Sequence, residues 1–162
     1  MTKKKQNRSI FLAAPFTGLL TKQGLIDSTH KAWLLEIINY FEKNNISVFN
    51  SHKREHWGGN LYAPSDAIKA DFDGISNADC IVATIGEPQS PPSPGVLMEL
   101  GFAAALKKPI VIFIRGNKNE QLEGIPYLAR GLPAYTNVKI IYFKTNNDLF
   151  REFDAIGFSN KS

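Results

Sequence analysis

Short apolar runs recur along the chain at residues 10–14, 46–49, 80–85, 109–114 and 138–143. All but the second are nearly continuous in apolar side chains, the pattern of strands covered on both faces. Longer amphipathic stretches separate them and predict helices at 25–44, 65–77, 95–107, 121–130 and 146–156. In the first of these, Leu34, Ile37, Ile38 and Phe41 form one helical stripe. Strands alternating with helices predict a three-layer α/β domain: a five-stranded, mostly parallel sheet with helices on both faces. Ligands in such folds bind beyond the carboxyl ends of the strands. The loops at 15–24, 51–64, 86–94 and 115–120 are therefore where chemistry is expected.

The segment 96–106 is apolar on every side of its predicted helix, which implies burial. Its one charged residue is Glu99, flanked at helical spacing by Val96, Phe102, Ala103 and Leu106. A carboxylate in that company costs several kcal/mol unless it is paired or faces a cavity. Glu99 is thus the first catalytic candidate, against the plainer reading of an acid bonded to a neighbouring loop. On the preceding helix, Asp71 shares a face with Ile68 and Ile75, whereas Asp73 turns to the solvent side with Lys69 and Asn77. Asp71 is the second candidate, and a core aspartate capping a loop is its plainer alternative. Asp79 enters a strand at the wrong end of the sheet and reads as structural.

Ser93-Pro94 fits an N-cap followed by proline at the first helical position. The same Ser93, with the Gly95 amide and the helix start, could equally hold an anion. Glu99 leans back along its helix towards that end. Two carboxylates from neighbouring helices can then meet in one crevice, a pairing suited to glycosidic cleavage. Pro88, Pro91, Pro92 and Pro94 stiffen the approach to it. The stretch 51–60 mixes Lys53, Arg54 and His56 with Trp57; it could hold a phosphate or stack on a base, or be a solvated basic loop.

Composition narrows the field. With 162 residues, 43% hydrophobic and 21% charged, the chain fits one soluble domain. Lys3, Lys4, Lys5 and Arg8 account for much of the net charge of +4, so residues 1–8 read as a disordered basic tail before a single domain at 9–162. No basic stripe points to nucleic acid as partner. No apolar run is long enough to span a membrane, and the cytoplasm is the expected setting. Cys80 reads as a core residue. His30, His52 and His56 lack the spacing of a metal site. Neither a dinucleotide fingerprint nor a P-loop is present.

Taken together, 10–16 (Ile-Phe-Leu-Ala-Ala-Pro-Phe), 71–79 (Asp-Phe-Asp-Gly-Ile-Ser-Asn-Ala-Asp) and Ser93-Pro94-Gly95-x-x-x-Glu99-Leu100-Gly101 with Lys108-Pro109 resemble the nucleoside 2-deoxyribosyltransferase superfamily. The resemblance implies a flavodoxin-like (Rossmann-like) fold, cleavage of an N-glycosidic bond without metal or cofactor, and a homodimer. It implies that Glu99 is the nucleophile at C1′, that Asp71 assists near sugar and base, and that Phe11 and Phe16 lie at the substrate. Transferases of this type carry aspartate six residues before the glutamate; here that residue is Ser93. Serine there resembles the nucleoside 5′-monophosphate N-glycosidases, in which it and the glycine matching Gly95 contact phosphate. Aspartate would repel a dianion, while a hydroxyl and an amide donate to it. Phe11 resembles the cytidylate hydrolases. Some hydrolases add a partner-subunit serine. This chain has none between Ser93 and Ser159, so Arg54, His56 or Arg130 is the expected substitute. The leading expectation is hydrolysis of a nucleoside monophosphate, a pyrimidine one. Base exchange by a deoxyribosyltransferase and a non-catalytic nucleotide sensor are the alternatives.

Overall fold

The computed structural model describes residues 8–85, 93–116 and 125–158. Five strands, β1 (Arg8–Ala13), β2 (Ile46–Phe49), β3 (Cys80–Thr84), β4 (Ile110–Arg115) and β5 (Val138–Phe143), form one sheet in the order β2-β1-β3-β4-β5. Every neighbouring pair is parallel, with Ile10 opposite both Val48 and Cys80. The central strands are buried along nearly their whole length, and edge strand β2 alternates; β5, expected to be covered on both faces, alternates as well because it lies at the other edge of the sheet. β1 starts at Arg8, inside the stretch expected as tail: its backbone pairs beside Ile46, and its guanidinium sits over the Phe158 ring.

Among the described residues the α-helices are α1 (Ser28–Lys43), α2 (Ser51–Arg54), α3 (Pro64–Asn77), α4 (Pro94–Ala105), α5 (Tyr127–Gly131) and α6 (Asn146–Ala155). α1 starts three residues later than expected because Asp27 caps it, accepting from the Thr29 and His30 amides. α6 opens with a reciprocal Thr145–Asp148 capping box. α2 and the tight turn after it lie within 51–64, expected as loop. Of the helix expected at 121–130, residues 125–130 are described; helix α5 starts there at Tyr127 and runs one residue past the expected end, to Gly131.

Two cores face opposite sides of the sheet. On one, Leu34, Ile38 and Phe41 of α1 and Leu149 and Phe153 of α6 pack on Ile10, Leu12, Val82 and Phe113. On the other, Ile75 of α3 and Val96, Leu100 and Ala103 of α4 cover Phe11, Ala13, Ile81 and Ile112. The Phe72 and Phe102 rings stack 3.9 Å apart and nearly parallel, locking α3 against α4. Lys108 closes the far end of α3 by donating from Nζ to the Ser76 and Ala78 carbonyls. Asp79 accepts from the Ser9 amide and hydroxyl, the structural role expected of it. Cys80 is buried in the first core, and burial pushes its thiol up to about 12.

The all-apolar segment of α4 is not buried on every side. Met98 is 59% exposed and Leu106 43%, so the helix covers the sheet with one face and presents hydrocarbon outward with the other.

Candidate active site

The site is assembled where α3 and α4 lie side by side under the turn that follows β2. Asp71 precedes Phe72, and Glu99 lies one turn before Phe102, so the ring stack brings the two acids together. α2 lays Arg54 across them: Nη1 donates to Asp71 Oδ1 at 2.8 Å and Nη2 to Glu55 Oε1 at 2.8 Å. Glu55 is buried and accepts in addition from the Tyr62 amide at 3.1 Å, while the Tyr62 ring lies against the guanidinium. Asp71 does not share a fully buried face. Ile75 is sealed but Ile68 is exposed, which puts Asp71 at the rim between core and solvent.

Burial, with three carboxyl groups around one guanidinium, sets the protonation. Glu99 is pushed up to about 8, mainly by burial and further by the charge on Asp71, with Arg54 pulling the other way. Asp71 is also raised: loss of hydration outweighs its bond to Arg54. Both residues remain partly exposed. A carboxyl that changes charge near neutrality beside a second acid can serve as nucleophile or as proton carrier.

Ser93 occupies the N-cap position of α4 with Pro94 at the first turn, as expected, yet its hydroxyl makes no capping bond. That Oγ lies against Gly95, 3.6 Å from where a Cβ would stand. A hydroxyl and the amides of a helix start are thus held at the strand ends without an internal acceptor.

Other expectations land differently. Phe11 is buried in the core, its ring against Gly74, so it forms the floor under α3 rather than an open contact. Phe16 packs on the His52 ring at 4.6 Å. The basic reading of 51–60 is overturned in part: Lys53 pairs with Glu42, and Arg54 is engaged by two carboxylates. Arg54 is therefore no spare phosphate ligand. His56 is exposed in a left-handed turn, and Arg130 is exposed with its guanidinium near the Tyr127 ring. Neither meets Glu99. Pro88, Pro91, Pro92 and Ser159 lie outside the described residues. Sequence reasoning missed Glu55 and His52, both buried polar residues at the ligand side. The only signal for them was their place directly after β2. No cluster of His, Cys, Asp and Glu suited to a metal ion occurs among the described residues. Nor is any described helix long and apolar enough to cross a membrane.

The family model for nucleoside 2-deoxyribosyltransferase matches residues 10–138, from β1 to the start of β5. The chain belongs to the nucleoside 2-deoxyribosyltransferase family, a family of enzymes. Among solved structures, BlsM is similar at 31% identity over 98% of this chain and 99% of that one, with a TM-score of 0.69. The CMP N-glycosidase BcmB of Clostridium botulinum has 24% identity over 92% and 99%, with a TM-score of 0.67. A 2-deoxyribosyltransferase of Bacillus psychrosaccharolyticus has 19% identity over 88% and 90%, with a TM-score of 0.58. At that identity the last two speak to the fold. No curated protein sequence matches the chain.

Proposed function

We propose that this family member is a homodimeric N-glycosidase that hydrolyses a nucleoside 5′-monophosphate, a pyrimidine one, to free base and pentose 5-phosphate. The observation that carries the reading is Glu99, held beside Asp71 at the ligand end of the sheet with its pKa at about 8. Ionised, its Oε attacks C1′ as the C1′–N bond breaks and the electron pair leaves with the base. Asp71 helps deliver the proton the base needs. The negative site favours the positive charge that builds on the sugar ring. Water then attacks C1′ of the glycosyl ester, gives its proton to the site, and frees Glu99 as carboxylate. The scheme consumes one water and no other reactant.

Ser93 supports the monophosphate. Its hydroxyl and the Gly95 amide are donors at a helix start, where the aspartate of a transferase would repel the dianion. The homodimer is supported by the outward face of α4. Leu97, Gly101, Ala104 and Ala105 line a groove of about 650 Å³ beside the projecting Tyr127 and Leu128. Its lining is apolar apart from the Tyr127 and Tyr135 hydroxyls, the character of a surface suited to association. The groove runs along the helix that carries Glu99, on a different face from it.

CMP, which BcmB's name specifies, is the first compound to try. Incubation with a panel of ribo- and deoxyribonucleoside monophosphates, read by chromatography, is expected to release base and sugar phosphate. Activity retained in Glu99→Ala would overturn the assignment. Base exchange is the second reading, favoured by the family match itself. A deoxynucleoside mixed with a second free base separates the two, since only a transferase yields the new nucleoside.

A further inference from the structure

His52 is wholly buried, yet it sits two residues from Arg54 in the short helix that carries the site's guanidinium. Its ring is hydrogen-bonded at both nitrogens. Nε2 lies 2.8 Å from the Pro15 carbonyl, which can only accept, so Nε2 carries the hydrogen. Nδ1 is then an acceptor, and the Asn50 side-chain amide donates to it at 3.4 Å. The same Asn50 nitrogen donates to the Leu12 carbonyl at 3.0 Å, while Asn50 Oδ1 accepts from the Lys53 amide to cap α2. A continuous chain of bonds thus runs from the end of β1, through Asn50 and His52, to the loop after β1. Phe16 and Trp57 pack on the ring from the two loops, at 4.6 and 5.8 Å between centroids.

A second strap joins the same two loops. The Ile26 amide donates to the Trp57 carbonyl at 3.0 Å. At Gly58, whose φ is +96°, a Cβ would stand 2.3 Å from the Gly24 carbonyl oxygen, so only glycine lets the loops close. With its backbone pinned at both ends, α2 has little freedom to carry Arg54 elsewhere.

We propose that His52 is a positioning residue: as a neutral Nε2–H tautomer it fastens the two ligand-side loops together and so holds Arg54 against Asp71. Protonation would set an Nδ1–H against the Asn50 amide, which has no lone pair to offer. The surroundings oppose it as well. Burial and the nearby His30 of α1 depress the ring to about 4, with only the Pro15 bond resisting. His30 is itself held neutral by burial, flanked by Asp27 and Arg115. The consequence at the site is electrostatic. Glu99 is faced by Asp71 from α3 and Arg54 from α2, with Glu55 behind the guanidinium. Letting Arg54 drift removes the one cation that lowers Glu99, so Glu99 must titrate higher.

The value of this placement for catalysis rests on the reading given above, but the placement does not. The test follows the Glu99 carboxyl carbon by NMR titration in protein labelled with ¹³C-glutamate. His52→Gln puts an amide nitrogen where Nε2 lies; His52→Asn is too short to reach Pro15. The Asn variant is expected to raise the Glu99 midpoint by about half a pH unit or more, and the Gln variant to restore it. On a substrate that turns over, kcat/KM falls by about tenfold or more in the Asn variant and recovers in the Gln variant. A folded Asn variant with an unmoved midpoint overturns the proposal, as does a Gln variant equally perturbed. Should the Asn variant not fold, the ¹⁵N shifts of the wild-type ring decide: an Nδ1–H tautomer, or titration like an exposed imidazole, overturns it. Wild-type protein without turnover would sink the glycosidase reading and leave these midpoints to be read.

Discussion

Glutamine at position 99 keeps the shape of the carboxyl and removes its charge, so Glu99→Gln isolates the electrostatic cost of the site. In the unfolded chain this group ionises near its ordinary 4.5, and in the fold near 8. Its proton is therefore bound more tightly in the native state. Across that window rising pH favours the unfolded chain, and the parent loses stability as pH climbs from 4.5 to about 8. At about 1.4 kcal/mol per unit, the penalty approaches ~5 kcal/mol above pH 8 and ~3 at pH 7. Solvent screening of a partly exposed group brings the working figure at pH 7 to about 2 kcal/mol. Glutamine carries none of this. Urea unfolding of both proteins at about pH 5, 7 and 8.5 should show nearly equal stability at the first and a widening advantage for Glu99→Gln thereafter. An advantage that is absent, or that does not grow with pH, would refute the claim that burial and Asp71 hold this proton.

Asp71→Asn removes the like charge that helps raise Glu99. The acidic limb of kcat/KM should move to lower pH while kcat falls by about a hundredfold, as loss of proton assistance requires. Gly74→Ala drives a methyl to 3.0 Å from the Phe11 ring, which is sealed in the core and cannot retreat. Overpacking of about 2 kcal/mol outweighs the helix preference for alanine, and urea melts should show a net loss near 1. Leu128→Glu puts a charge on the apolar face of α5, where Leu128 is 84% exposed. Light scattering should report a dimer for the parent and a monomer for the variant, with the fold intact.

Strand and helix positions were legible because periodicity and burial act residue by residue: the runs at 46–49 and 138–143 coincide with β2 and β5. Glu99 and Asp71 could be singled out because a carboxylate among apolar neighbours is anomalous at any fold. What joins them was not legible. The Phe72–Phe102 stack and the Arg54–Asp71 pair join residues 30 and 17 positions apart with no periodic signature. For the same reason 51–60 read as a basic loop, although its charges are consumed by Glu42, Asp71 and Glu55. The apolar α4 reads as buried because a sequence does not say which face of a helix its own fold leaves outward, as it leaves Met98. Phe11 was placed at the substrate by resemblance, and it is the Gly74 contact that draws it beneath α3 instead.

The account stands or falls on whether Glu99 itself bonds to the sugar. A 2-deoxy-2-fluoro pyrimidine monophosphate slows both formation and breakdown of a glycosyl ester, because fluorine destabilises positive charge at C1′. Mass spectrometry of protein quenched during reaction with it should find one pentose phosphate attached to the peptide containing Glu99, and none in Glu99→Gln. An adduct on another residue, or steady release of base with Glu99 never modified and Glu99→Gln still active, would contradict it.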